Sequence, residues 1–146
     1  MPEGEVPSAK ALLVNSTSID LLTKGNYSHY EFLGAVENFF VKAAPAMFMG
    51  WSNLNFDRRM FHFNFFKGNR YPYLTHSSPN QEHDGLHVAR AAQTIDSKTL
   101  KTELTEAGNE SLALEGLSRQ QGFDTSAAHT AYVDAHNSLK ILRIIK

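Results

Sequence analysis

Two histidines, His83 and His87, stand four residues apart in the stretch Gln81-Glu82-His83-Asp84-Gly85-Leu86-His87. On a helix that spacing brings both imidazoles to one face, close enough to share a divalent cation with a third ligand. His76 or Asp84 is the nearest third donor, and a metal-dependent hydrolase is the chemistry such a set would support. The competing expectation is a solvent-facing polar first turn, because histidine pairs at this spacing arise often by coincidence. His129 and His136 lie roughly 10 Å apart along a helix axis at 1.5 Å per residue, too far for one ion. Asp134 and His136 face different sides of a helix, so ordinary surface histidines are expected there.

The His83 to His87 spacing is similar to that of the H-E-x-x-H zinc-protease helix. Asp84 replaces the Glu that acts as general base there, and Gly85 disfavours a helix, so that chemistry is not carried over. No phosphate-loop, dinucleotide or G-x-S-x-G spacing is present. The absence of cysteine excludes disulfides, thiolate metal sites and cysteine nucleophiles. No cofactor is predicted, a divalent metal at the histidines being the one candidate.

A second constellation combines aromatic rings with cations. Nine of the ten phenylalanines fall between Phe32 and Phe66, and Arg58, Arg59, Lys67 and Arg70 border the run without an intervening acid. Single-strand nucleic-acid binders pair cations that follow phosphates with rings on which bases stack. Arg58, Arg59, Lys67, Arg70, Tyr71 and Tyr73, with Phe61, Phe63 and Phe65 as stacking faces, would serve that role. If the rings instead exceed what the flanking helices cover, the surplus becomes a contact surface. Phe48, Trp51, Phe61, Phe63 and Phe65, with Leu139, Leu142 and Ile145 on the last helix, then form an interface.

The elements that must position these groups can be read from period and punctuation. Ser28-His29-Tyr30-Glu31 has capping-box spacing, which predicts a helix from Ser28 to Ala44 with Tyr30, Leu33, Val36, Phe40 and Ala44 along one stripe, ended by Pro45. Met60 to Phe66 alternates and predicts a strand, Lys67 to Arg70 a turn, and Tyr71 to Thr75 an antiparallel return. Lys10 to Val14 predicts a short strand, and Ile19 to Leu22 a short helix. Beyond Thr75, helices are expected from Ser78-Pro79 towards Ala92, from Asp96 or Ser97 to Gly108, from Asn109 to Gly122, and from Thr125 or Ser126 nearly to the end.

Length and composition bound the whole. The 146 residues carry a net charge of −1, are 42% hydrophobic and 20% charged, and fit one soluble globular domain over 9–146 behind a flexible leader at 1–8. The expected class is α+β: a small antiparallel sheet, an aromatic hairpin at about 60–75, packed by the helix at about 29–44 and a helical C-terminal half. A mostly α chain with one hairpin is the alternative. The function expected first is a non-enzymatic accessory protein that binds a protein partner or itself. Single-stranded nucleic-acid binding through 58–73 and the histidine-based hydrolase are the alternatives. No apolar segment is long enough for a membrane span, and a cytoplasmic location is expected.

Overall fold

The computed structural model describes residues 27–145 continuously, together with 8, 9, 18, 20, 24 and 25. The strand expected at Lys10 to Val14 and most of the leader and of the Ile19 to Leu22 helix lie outside the described residues. The chain is α+β, with helices α1 (His29–Ala43), α2 (Asp57–Lys67), α3 (Gly85–Ile95), α4 (Leu114–Gln120) and α5 (Ala131–Ile144). Its strands are β1 (Met47–Gly50), β2 (Gln81–Asp84), β3 (Glu103–Leu104) and β4 (Glu110–Ser111). They form two small pairs, β1 with β2 and β3 with β4. Two compact units result: Met1–Met47 with Arg59–Gln81, and Phe48–Arg58 with Glu82–Lys146.

In the first unit, α1 begins where the capping box places it. The Ser28 N–H donates to Glu31 Oε2 at 2.8 Å, and the Glu31 N–H donates to Ser28 Oγ at 3.3 Å. The Ser28 hydroxyl, which donates to Glu31 Oε2 at 2.7 Å, and then the Ser28 N–H hold the exposed Glu31 carboxyl below the usual carboxylate range. Leu33 is the buried anchor of α1, while Tyr30, Phe32 and Phe39 of the expected stripe or its margins stay exposed.

The expected strand at Met60 to Phe66 is helix α2. Phe-x-Phe-x-Phe satisfies a period of two, but Phe61 and Phe65 are also one helical turn apart, and short apolar runs do not separate the two readings. Tertiary packing decides. The Phe61 ring stacks on Phe65 at 4.2 Å between centroids and meets Phe40 edge-on at 5.2 Å. Phe65 is 1% exposed whereas Phe63, on the opposite side of the helix, is 54% exposed. Asp57 in the first turn and Lys67 in the last suit the helix dipole. The Lys67 to Arg70 turn does form, with Asn69 at φ 52°, but it ends a helix instead of joining strands. Gly68 lies close to Leu33: a Cβ there would stand 2.4 Å from Leu33 Cδ1, so that side chain would have to shift. The segment that follows is held by Asn80, whose Oδ1 accepts from the Ala46 N–H at 2.9 Å and whose Nδ2 donates to the Leu74 carbonyl at 2.8 Å.

The second unit is built on Ala89, Leu100, Leu117 and Ile141, with Trp51, Leu112, Leu114, Phe123 and Ile145 packed against them. Burying that much apolar side chain supplies most of its cohesion. Several polar groups within it are hydrogen-bonded: Trp51 Nε1–H donates to the Leu112 carbonyl at 3.0 Å, and Gln93 bonds Ser97, Glu110 and the Leu100 N–H. Helix α3 opens at Asp84, not at Ser78-Pro79, so Gly85 is its first residue and not a weakness in its middle. The segment after Asp96 forms the β3 strand in place of the expected helix, pairing Glu103 with Ser111 and Leu104 with Glu110. Helix α4 stops at Gln120, and Gly122 at φ 77° carries the chain out of it. Helix α5 starts at Ala131, later than Thr125 or Ser126, and buries Asn137, Ser138 and Ile141.

Candidate functional site

The residues that gather around a cavity are not those with suggestive local spacing. In the second unit an open cavity of about 370 Å³ is lined by Met49, Gly50, Trp51, Asp57, Leu114, Ala131, Asp134, Ala135 and Ser138. Two carboxylates, Asp57 and Asp134, thus share a concave surface whose remaining walls are largely apolar.

Each carboxylate is delivered by a short chain of bonds. Asp84, 3% exposed, accepts three backbone N–H groups: Ser52 at 2.9 Å, Leu54 at 3.3 Å and Leu86 at 2.9 Å. One carboxylate therefore caps α3 and pins the loop 51–56. Asn53 Nδ2 adds a bond to Glu82 at 3.1 Å, and the Arg58 N–H donates to the Asn53 carbonyl at 3.0 Å, which fixes the start of α2 at Asp57. On α5, Asp134 precedes Asn137, Ser138 and Ile141 by three, four and seven residues, the spacing of one helical face. The face that buries Ile141 therefore carries Asp134 to the cavity two turns earlier.

His129 is tied to this cavity through its backbone. It adopts φ 69°, uncommon for a non-glycine residue, and its N–H donates to Asp134 Oδ1 at 3.2 Å. Its Nε2 lies 3.6 Å from Glu115 Oε2. Glu115 also lies 3.7 Å from Arg119, which bonds Glu103 through Nε at 3.0 Å. That bond, with a second from Gln120, keeps the Glu103 carboxyl below the usual range. Upstream, the Ser126 backbone N–H bonds Asp124 at 2.8 Å, which lowers the Asp124 carboxyl and shapes the turn leading to His129.

The sequence-predicted sites fare differently. His83 sits in β2, ahead of the helix that carries His87, so no shared helical face unites them. Asp84 spends its oxygens on backbone N–H groups, and His76 lies in the first unit. Among the described residues, no group of three or more His, Asp or Glu is gathered to hold a metal ion. Of the expected interface, Phe65 is core, Trp51 and Ile145 pack on the second unit's core, and Phe48, Phe61 and Leu142 are half-buried. Phe63 and Leu139 alone of that set are largely exposed. Of the expected nucleic-acid set, Arg70 is committed to Glu37 and lies 4.4 Å over the Tyr30 ring. Lys67 stands 4.9 Å over Phe63, Arg59, Tyr71 and Tyr73 are exposed, and Arg58 is half-buried. The cavity pair was missed because positions 57 and 134 have no local spacing to betray them.

No protein-family model matches the chain. It is 22% identical over 142 residues to exodeoxyribonuclease I of Haemophilus influenzae, a match that covers 97% of this chain and 30% of that protein. Crystal structures of E. coli exonuclease I with dA16 and dT13 oligonucleotides match with TM-scores of 0.86 and 0.88 at 21% identity, covering 97% of this chain and 30–31% of theirs. A product-bound exonuclease I structure matches with a TM-score of 0.85 at 19% identity. The chain thus spans about a third of the length of the proteins it resembles. These likenesses correct the first functional expectation: a non-enzymatic, self-associating protein-contact module does not accord with neighbours that are nucleases bound to oligonucleotides, and nucleic acid replaces it as the ligand to consider. What they show directly is shared architecture: the chain has the fold of a part of exonuclease I.

Proposed function

We propose that this chain carries nuclease chemistry on single-stranded DNA, with the Asp57 and Asp134 cavity as its centre. The observation that carries the proposal is the convergence of two carboxylates from distant elements on one open cavity, in a fold shared with exonuclease I. Magnesium and its relatives are typically held by one or two protein carboxylates, with water and substrate phosphate oxygens filling the other positions. Asp57 and Asp134 fit that donor set. When bound, such a cation neutralises phosphate charge and makes water a competent nucleophile near neutral pH.

The chain's own contributions follow from the bonds above. Asp57 and Asp134 orient the cation, with Asp134 steadied by the His129 N–H. Trp51, Leu114 and Ala131 supply apolar walls to the open cavity. His129, whose backbone N–H is bonded to Asp134, is the candidate general base beside the carboxylates, and its Nε2 lies 3.6 Å from Glu115 Oε2 on α4. A cysteine-free chain of this kind suits the cytoplasm.

The test is Mn²⁺ binding, followed by electron paramagnetic resonance, together with shortening of an end-labelled dT13 in Mg²⁺ or Mn²⁺. Binding that tightens with dT13, and cleavage that EDTA stops, are expected for the wild type. Asp57→Asn and Asp134→Asn should each lower cleavage at least about a hundredfold, since electrostatic groups at a reaction centre are worth that much. Mn²⁺ bound equally by wild type and the double variant would overturn the proposal.

A further inference from the structure

The first unit exposes aromatic rings that its core does not use. Phe66 is 60% exposed, Tyr71 52% and Tyr73 38%. They are neighbours: Tyr71 and Tyr73 meet at 5.4 Å between centroids and 82° between planes, and Phe66 meets Tyr73 at 6.1 Å and 85°. His62 and His76 complete the cluster against Tyr73 at 5.3 and 5.5 Å. In edge-to-face contacts of this kind one ring offers its edge, which leaves other ring faces open to solvent.

Two features separate this cluster from scattered surface aromatics. The rings are pre-organised: Pro72 between the tyrosines is buried, and the Tyr71 hydroxyl is hydrogen-bonded to Ser77 Oγ at 2.8 Å. A ligand that stacks on them loses little side-chain freedom in doing so. The surrounding sequence is also one-sided in charge, with Arg58, Arg59, Lys67 and Arg70 and no Asp or Glu from Arg58 through Gln81. Lys67 follows Phe66 at the C-terminal turn of α2, and Arg70, which also bonds Glu37, precedes Tyr71, so a cation adjoins the rings in sequence on each side.

We infer that Phe66, Tyr71 and Tyr73 form a base-stacking platform for single-stranded DNA, with Lys67 meeting its phosphates. The inference rests on the reading that the chain handles single-stranded DNA, and it gives that strand a second contact, within the first unit. Stacking faces and phosphate-seeking cations are the combination that holds a single strand without reading its sequence.

The experiment is fluorescence anisotropy of fluorescein-labelled dT13, in EDTA so that the cation cavity is silent. The wild type should bind at low salt, and Tyr71→Ala with Tyr73→Ala should weaken binding about a hundredfold, near tenfold per ring. Tyr71→Phe with Tyr73→Phe keeps the rings and should stay within about threefold, which guards against a folding artefact. Lys67→Gln should reduce the slope of log affinity against log salt by about 0.7. An abasic 13-mer should bind the wild type and the double alanine variant alike. Unchanged dT13 binding in the double alanine variant, or no binding by the wild type at low salt, would overturn the platform. The two proposals fail separately: Asp57→Asn with Asp134→Asn removes Mn²⁺ binding but should leave dT13 binding in EDTA intact.

Discussion

The two units solve the problem of cohesion differently. In the first, Leu33 and Phe65 are the buried hydrophobic residues among those described, and ring-on-ring contacts surround them. In the second, four buried aliphatic residues share the interior with Asp84, Gln93, Asn137 and Ser138, each hydrogen-bonded. The difference teaches where catalysis can be placed. A carboxylate is oriented by directional bonds, whereas edge-to-face aromatic packing leaves ring faces for a flat ligand. The cavity carboxylates belong to the bonded unit and the exposed rings to the aromatic one.

Substitutions can break that contrast, the largest first. Phe65→Ala removes the central ring of the first unit and should cost about 3–5 kcal/mol in urea unfolding, with faster amide exchange in α1 and α2. Asp84→Ala strands three N–H groups and should cost about 2–4 kcal/mol, with exchange rising in the loop 51–56 and at the start of α3. It should also weaken Mn²⁺ binding although Asp84 does not line the cavity, because Asp57 loses its anchor. Trp51→Phe keeps most of the volume and drops the bond to the Leu112 carbonyl, for about 1 kcal/mol.

The smallest effect is acid-dependent. Glu31 and Glu103 both have folded-state pKa values below the ordinary 4.5. Their contribution is therefore complete above about pH 4.5 and disappears as pH falls through the lowered folded values. Glu31→Gln and Glu103→Gln should each flatten the fall in melting temperature on acidification, and the change should be small because both carboxylates are exposed to solvent screening.

What could be read from the sequence follows the range of the forces involved. Helix α1 was legible because Ser28, Glu31 and Pro45 act within a few residues of its ends. The α+β class and the Gly122 stop were legible for the same reason. Helix α2 was not, because its Phe residues fit both periods and only Phe40 decides between them. The last helix was legible, but the face it buries is partly polar: Asn137 and Ser138 are buried while Tyr132 and Leu139 are exposed, since Asn137 and Ser138 donate hydrogen bonds to the Asp124 and Asp134 carbonyls there. The histidines at 83 and 87 attracted attention through spacing, whereas Asp57 and Asp134 are brought together only by the fold.

The most direct test of the central claim is the Mn²⁺ titration of the wild-type chain and of Asp57→Asn with Asp134→Asn, each with and without dT13. The account predicts weak binding by the wild type that tightens at least about tenfold with the oligonucleotide, as phosphate oxygens complete the coordination, and neither behaviour in the double variant. Equal Mn²⁺ affinity in the two proteins, or a wild-type affinity that dT13 does not change, would contradict it.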